Sequence, residues 1–130
     1  MTLRAIESKI KHFRPGSEAI LTPERLLSYI DDVEKRIYND IILKHEIGPS
    51  VPVPILHDGE RGYNEELMLP DEYTDIYVYY ACSKIDLIRN EIDRYANSSA
   101  LYNAAIEEYA RYINRHYLPK QMNKIHIGGI

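Results

Sequence analysis

The stretch LPDEYTDIYVYYACSKIDLIRNEIDRYA, residues 69 to 96, limits what this chain can fold into more than any other. Its centre, YTDIYVYY, has the alternation and the side chains of a β-strand, with four tyrosines around Ile76 and Val78. Its flanks point to a helix instead. Pro70 at the first helical position gives up no hydrogen bond, and Asp71 and Glu72 meet the positive end of a helix dipole. No breaker follows until Asn97. At about 100° per residue, Tyr73, Tyr77, Tyr80, Ala81, Ile85, Ile88, Ile92 and Tyr95 share one face, which Ile76 and Leu87 widen. Asp75, Asp86, Arg89 and Asp93 lie opposite. The pattern predicts one helix of about 26 residues, ~40 Å long.

The same test finds three more helices. Thr22-Pro23-Glu24 supplies an N-cap, a first-turn proline and a first-turn acid, and Leu26, Ile30, Val33, Ile37 and Ile41 then repeat at helical spacing as far as His45. Asn97-Ser98-Ser99 provides cap-type residues before Leu101, Tyr102, Ala105, Ile106, Tyr109, Tyr112 and Ile113, a last helix that ends before Pro119. Such a short link implies an antiparallel hairpin. A shorter first helix covers residues 2 to 12, with Leu3, Ile6, Ile10 and Phe13 facing inward until Pro15-Gly16 stops it. The expected fold is all-α, a small antiparallel bundle in one domain, residues 1 to 118.

Two segments fall outside this scheme. Residues 46 to 69, rich in proline and glycine, form either a small β-hairpin around Asp58-Gly59 or an irregular excursion; Pro52 and Pro54 restrict any strand there to an edge. Residues 119 to 130, LPKQMNKIHIGGI after its leucine, lack helical period and read as an extended basic arm that needs a partner surface. Its candidate contact residues are Pro119, Lys120, Lys124, Ile125, Ile127 and Ile130.

The formal net charge of −4 conceals an asymmetry. Residues 1 to 14 hold four bases against one acid, residues 94 to 130 five against two, and residues 18 to 93 seventeen acids against seven bases. The middle should repel nucleic acid, while the ends are suited to an acidic partner, including another copy of the chain. One cysteine, Cys82, closes no internal disulfide and suits a reducing compartment. No apolar run is long enough for a signal sequence or a membrane span.

Signals for chemistry are weak. Histidines 12, 45, 57, 116 and 126 do not fall at zinc-hydrolase spacing, and there is no calcium loop, P-loop, dinucleotide fingerprint or nucleophile elbow. No catalytic, cofactor or metal residue is assigned, and no cofactor is expected. Cys82 falls on the polar side of the third helix. Lys84 and His116 lie on apolar faces, where a lysine runs its stem along the core and a terminal histidine caps carbonyls. Glu91 with Lys84 gives only unspecific support for a hydrolase. Twelve tyrosines against one phenylalanine and no tryptophan suit thin helical layers that share rings with neighbouring subunits. Tyr79 points away from Tyr77 and Tyr80, which makes it the first candidate for an intersubunit contact.

A pattern runs from Leu69-Pro70 through Tyr73, Tyr77 and Tyr79-Tyr80, then Glu91-Ile92-Asp93-Arg94-Tyr95 with Asn97, then Tyr102-Asn103 with Ala105, to the ending Tyr109, Arg115, Pro119. With it, residues 26 to 119 resemble the head-tail connector, or adaptor, proteins of tailed phages. The resemblance implies a non-enzymatic virion protein at the head-tail interface, made in the bacterial cytoplasm, that forms a homo-oligomeric ring of about a dozen copies under the portal protein. Such a ring extends the channel through which genomic DNA passes without specific binding, and offers a platform for a downstream neck or tail protein. The arm would reach toward the portal. The long excursion at 46 to 69 departs from the family pattern. The residues also leave open a small helical-bundle regulatory protein whose basic first helix, with Arg4, Lys9 and Lys11, contacts nucleic acid or a partner.

Overall fold

The computed structural model describes residues 1–46 and 64–119. Four α-helices form an all-α bundle: α1 (Leu3–Phe13), α2 (Pro23–Asp40), α3 (Asp75–Ile88) and α4 (Ile92–His116), with short 3₁₀ turns at Ile42–Lys44 and Asp71–Tyr73. Of the expected hairpin at 46 to 69, residues 47–63 lie outside the described residues, as does the arm beyond Pro119, and residues 66–69, its expected second strand, form no strand but an isolated bridge from Glu66 to Thr2.

The first two helices start where their caps place them. Thr2 Oγ1 accepts from the Ala5 N–H, and Thr22 Oγ1 from the Arg25 N–H with Pro23 in the first turn. Leu3, Ile6 and Ile10 are buried, as are Leu26, Ile30, Val33, Ile37 and Ile41. Phe13, expected inside, is 52% exposed, because α1 ends there and Arg14 turns back over the core. α2 is shorter than its pattern suggests and tightens after Asp40 into the 3₁₀ turn.

The long third helix of the sequence reading does not exist as such. It is two helices. α3 closes at Ile88, and the chain reverses through Arg89, Asn90 and Glu91. Asn90 adopts φ 58°, the Asn90 N–H donates to the Leu87 carbonyl, and the Glu91 N–H reaches back to the Asp86 carbonyl. This is a Schellman motif, with asparagine in the left-handed position usually held by glycine. Asn97-Ser98-Ser99, expected as a cap, lies inside α4. Ser98 is accommodated there because its hydroxyl sits 2.9 Å from the Arg94 carbonyl, one turn back.

The shifted reversal makes α3 the central helix. It packs against α4, α2 and α1. Ile76, Tyr77, Val78, Ala81, Cys82, Ser83, Ile85 and Asp86 are therefore all buried, which covers more than one face. Ile88 and Ile92, assigned to the inner stripe of one continuous helix, fall at the reversal and are exposed, and Asp86, assigned to the outer side, is buried.

Polar links fasten the connecting segments. Glu34 of α2 is buried, and its Oε2 accepts from the Met68 N–H at 2.9 Å and the Tyr77 hydroxyl at 2.8 Å. The same hydroxyl accepts from the Leu69 N–H at 3.1 Å. Buried amides are costly without acceptors, so this network explains how Leu67, Met68 and Leu69 cross the core in non-helical backbone. At the other end His45 is buried, with Nδ1 2.7 Å from the Ile41 carbonyl and Nε2 2.6 Å from the Asn114 side-chain amide. The Glu46 N–H donates to the Leu118 carbonyl, and His45 bridges to Pro119.

Asn90 gives a direct test of the reversal. Asn90→Gly should leave stability unchanged or raise it slightly, whereas Asn90→Val should lower it by about 1–2 kcal/mol, the cost of a left-handed backbone in a side chain that resists it. Urea denaturation of both variants measures the difference. Equal stability of the two would place the break elsewhere.

Candidate functional site

The seam between α3 and α4 carries most of what is distinctive on the surface. On its α1 side lies a groove of about 480 Å³, walled by Phe13, Val78, Tyr79 and Leu101 and edged by Arg14, Arg94 and Asn97. Further toward Tyr73 a shallower depression of about 200 Å³ lies between Glu72, Ile76, Ala105 and Glu108. The Tyr79 ring lines both. It is half-buried against the core. Tyr79, expected to face a neighbouring subunit, thus lies against the core beside α4 residues Leu101 and Ala105.

One polar cluster fixes the walls of the larger groove. Arg14, just past α1, grips Asp86 of α3 with both arms of its fork, Nε to Oδ1 at 2.7 Å and Nη2 to Oδ2 at 2.8 Å. The Ser98 hydroxyl of α4 sits 2.9 Å from Asp86 Oδ2, and its single proton serves that oxygen or the Arg94 carbonyl. Burial pushes the Asp86 carboxyl up, but the Arg14 guanidinium and the Ser98 hydroxyl outweigh it, and the group sits below its ordinary value.

Cys82 lines the same groove. It is buried, not on a polar face as expected, because α1 and α4 cover that side of α3. Burial pushes its thiol up to about 11, with Arg14 pulling it down and Asp86 adding to the rise. A thiol held neutral in this way is a poor nucleophile.

The tyrosines join helices through their rings. Tyr73 of the 3₁₀ turn meets Tyr109 edge-on at 5.1 Å and Tyr112 at 5.3 Å, and Tyr80 of α3 meets Tyr102 of α4 at 5.1 Å and Tyr29 of α2 at 6.0 Å. Burial raises the Tyr109 hydroxyl to about 12. Tyr102 and Tyr109 are buried in the seam, while Tyr29, Tyr73, Tyr80 and Tyr112 are partly buried at its edge.

Exposed apolar side chains lie elsewhere. Leu87, Ile88 and Ile92 flank the α3–α4 reversal, with Ile92 58% exposed, and Phe13 and Leu101 stand on the groove rim at 52% and 50%. No residue in this group was selected as a contact from sequence. The signal that would have found them is Asn90, since a reversal there turns Ile88 and Ile92 outward.

Pro119 is exposed beside His45 at the far end of α4, while Lys120, Lys124, Ile125, Ile127 and Ile130 lie outside the described residues. His116 contacts the Tyr112 carbonyl through Nδ1 at 2.9 Å, as a terminal histidine should. Glu91 pairs with Arg94 at 3.2 Å, and Lys84 lies over the Tyr80 ring. The basic charges of α1 meet partners on the same chain: Lys9 with Asp75 at 3.3 Å, Lys11 with Glu7 at 3.9 Å, Arg14 with Asp86, and Arg4 with Asn64. Among the described residues no group of His, Cys, Asp or Glu is placed to hold a metal ion, and no helix is long and apolar enough to cross a membrane.

The Asp86 pairing sets a pH dependence. Its folded value lies below the unfolded value of about 3.9, so the stabilisation is complete above that pH and is lost as pH falls through the folded value. Asp86→Asn should be less stable than the parent at about pH 6, and the gap should narrow as pH falls below about 4. Urea titrations across that range measure it, and a pH-independent gap would refute the assignment. Cys82 should react with a thiol reagent no faster than the chain opens, a rate that rises with added urea. No family model matches the chain, nor does any curated protein or solved structure.

Proposed function

We propose that this chain is a structural subunit of a phage head-tail connector ring, docked under the portal and serving as a platform for a neck or tail protein. The observation that carries the reading is the exposed apolar set, Ile88 and Ile92 at the hairpin tip with Phe13 and Leu101 along one flank. Large apolar side chains grouped in this way belong to an interface, and a ring subunit offers two such surfaces to its neighbours, each typically burying ~800 Å². The resemblance of the tyrosine pattern from Leu69 to Pro119 supplies the kind of assembly. Tyr73, Tyr77 and Tyr80 of that pattern hold the helices together, which leaves the hairpin tip and groove rim as the surfaces for neighbours.

The rival reading, a regulatory protein that presents a basic first helix to nucleic acid, loses support from the ion pairs of α1. Arg14 is committed to Asp86, while Lys9 and Lys11 face carboxylates of the same chain. Exposed pairs contribute little energy, but they lower the local positive potential on which phosphate binding depends.

In purified virions of a phage that carries this gene, the protein should be present, and electron microscopy should place it as a ring between portal and tail. Its absence from purified particles would end the connector reading. Ile92→Asp together with Leu101→Asp should leave a folded helical monomer that no longer forms rings, measured by circular dichroism and native mass spectrometry. Rings of unchanged stoichiometry would show that the contact lies on another surface.

A further inference from the structure

The α2 side of the same seam holds a second cavity, of different character. It is an open depression of about 240 Å³ between Arg36 of α2, Ser83 and Lys84 of α3, and Tyr95, Ser99 and Asn103 of α4, over the rings of Tyr80 and Tyr102. We propose that this cavity is a binding site for a small phosphate monoester, with Lys84 and Arg36 neutralising the phosphate and Tyr95, Ser99 and Asn103 hydrogen-bonding its oxygens.

Three observations converge on this. Lys84 is half-buried, its ammonium held 5.2 Å above the Tyr80 ring centre, and no carboxylate among the described residues lies within ion-pair distance of it. That is unusual in a chain where acids outnumber bases 20 to 16 and where the other inward cation, Arg14, holds a carboxylate with both arms. Cation–π contact steadies an ammonium without neutralising it.

Arg36 completes the charge. Its guanidinium lies 5.6 Å from the Tyr102 ring centre and donates to the Tyr102 hydroxyl at 3.4 Å. Its nearest acid, Asp40, is 3.8 Å away and well exposed, a contact weak enough for an anion to displace. Asp32 is occupied by the Tyr80 hydroxyl at 3.2 Å. Two cations match the charge of a phosphate monoester, between about −1.5 and −2 at neutral pH, better than that of a carboxylate.

The remaining donors are in place and unused. Among the described residues the side chains of Tyr95, Ser99 and Asn103 make no hydrogen bond, and all three line the cavity on successive turns of α4. A phosphate has three terminal oxygens to receive them. The volume exceeds what a bare phosphate needs, which leaves room for a small group on the ester oxygen. This site does not rest on the connector reading.

The test is a titration of the full-length chain, followed by ¹H–¹⁵N spectra, with inorganic phosphate, phenyl phosphate and potassium chloride at matched ionic strength. Phosphate and phenyl phosphate should give saturable shifts confined to the amides around Lys84, Ser99 and Asn103, with phenyl phosphate the tighter of the two. Lys84→Gln should weaken phenyl phosphate binding at least tenfold, while Arg111→Gln, on an exposed turn of α4 outside the cavity, should leave it unchanged. Shifts that chloride reproduces, or that spread over all exposed basic residues, would overturn the site. So would full affinity in Lys84→Gln, and equal affinity for the two phosphates would overturn the monoester assignment. If Lys84→Gln does not fold, the shift map of the unaltered protein decides alone.

Discussion

The bundle turns on one carboxylate. Asp86 stands near the end of α3 where three helices meet, and it is bound by Arg14 from the end of α1 and approached by Ser98 from α4. A buried carboxylate deprived of its cation costs on the order of 3–5 kcal/mol, a large share of the 5–15 kcal/mol that holds a domain of this size together. The link also defines geometry. It sets how far α1 lies from α4, and so the width of the groove between Phe13 and Leu101. The Asn90 reversal is its necessary partner, because only an antiparallel return brings Ser98 back alongside Asp86, twelve residues earlier.

The helical content was legible from spacing alone, and the start of α2 from its cap. Thr22 caps as its chemistry predicts, and the apolar repeat from Leu26 to Ile41 is buried throughout; the cap of α1 by Thr2 is seen only in the structure. The reversal was not legible because two continuous-looking patterns overlap at it. Ile85, Ile88 and Ile92 continue a stripe across the break, and the capping composition of Asn97-Ser98-Ser99 offers a more conventional boundary. Asparagine at a left-handed position is a weak signal beside a proline or glycine. A central helix adds to the difficulty, since burial on several sides erases the one-sided pattern that period analysis depends on.

The polar interior was hidden for a different reason. Glu34 looks like a surface acid until Met68 and Tyr77 meet it, and these lie 34 and 43 residues further on. Asp86 and Arg14 are 72 residues apart. Such pairs carry no local periodicity; each residue alone has the composition of a solvated face. The same applies to the candidate site. Tyr79, singled out as an outward aromatic, packs against the core, and its surroundings depend on α4 residues, Leu101 and Ala105, whose position follows from the reversal.

Moving the reversal changes what the surface is for. With a single long helix, Ile88 and Ile92 would lie in the core and Tyr79 would be the outward aromatic. With the break at Asn90 the two isoleucines stand at the tip of a hairpin, where no other described element covers them, and Tyr79 becomes a groove floor. The α3–α4 seam then separates two surfaces of opposite chemistry. Its α1 flank is lined by apolar side chains whose one internal cation is neutralised by Asp86, which favours contact with another protein surface. Its α2 flank keeps an ammonium and a guanidinium above tyrosine rings, which favours an anion. Both flanks share α4, so a ligand that shifts this helix from one side alters the groove presented on the other.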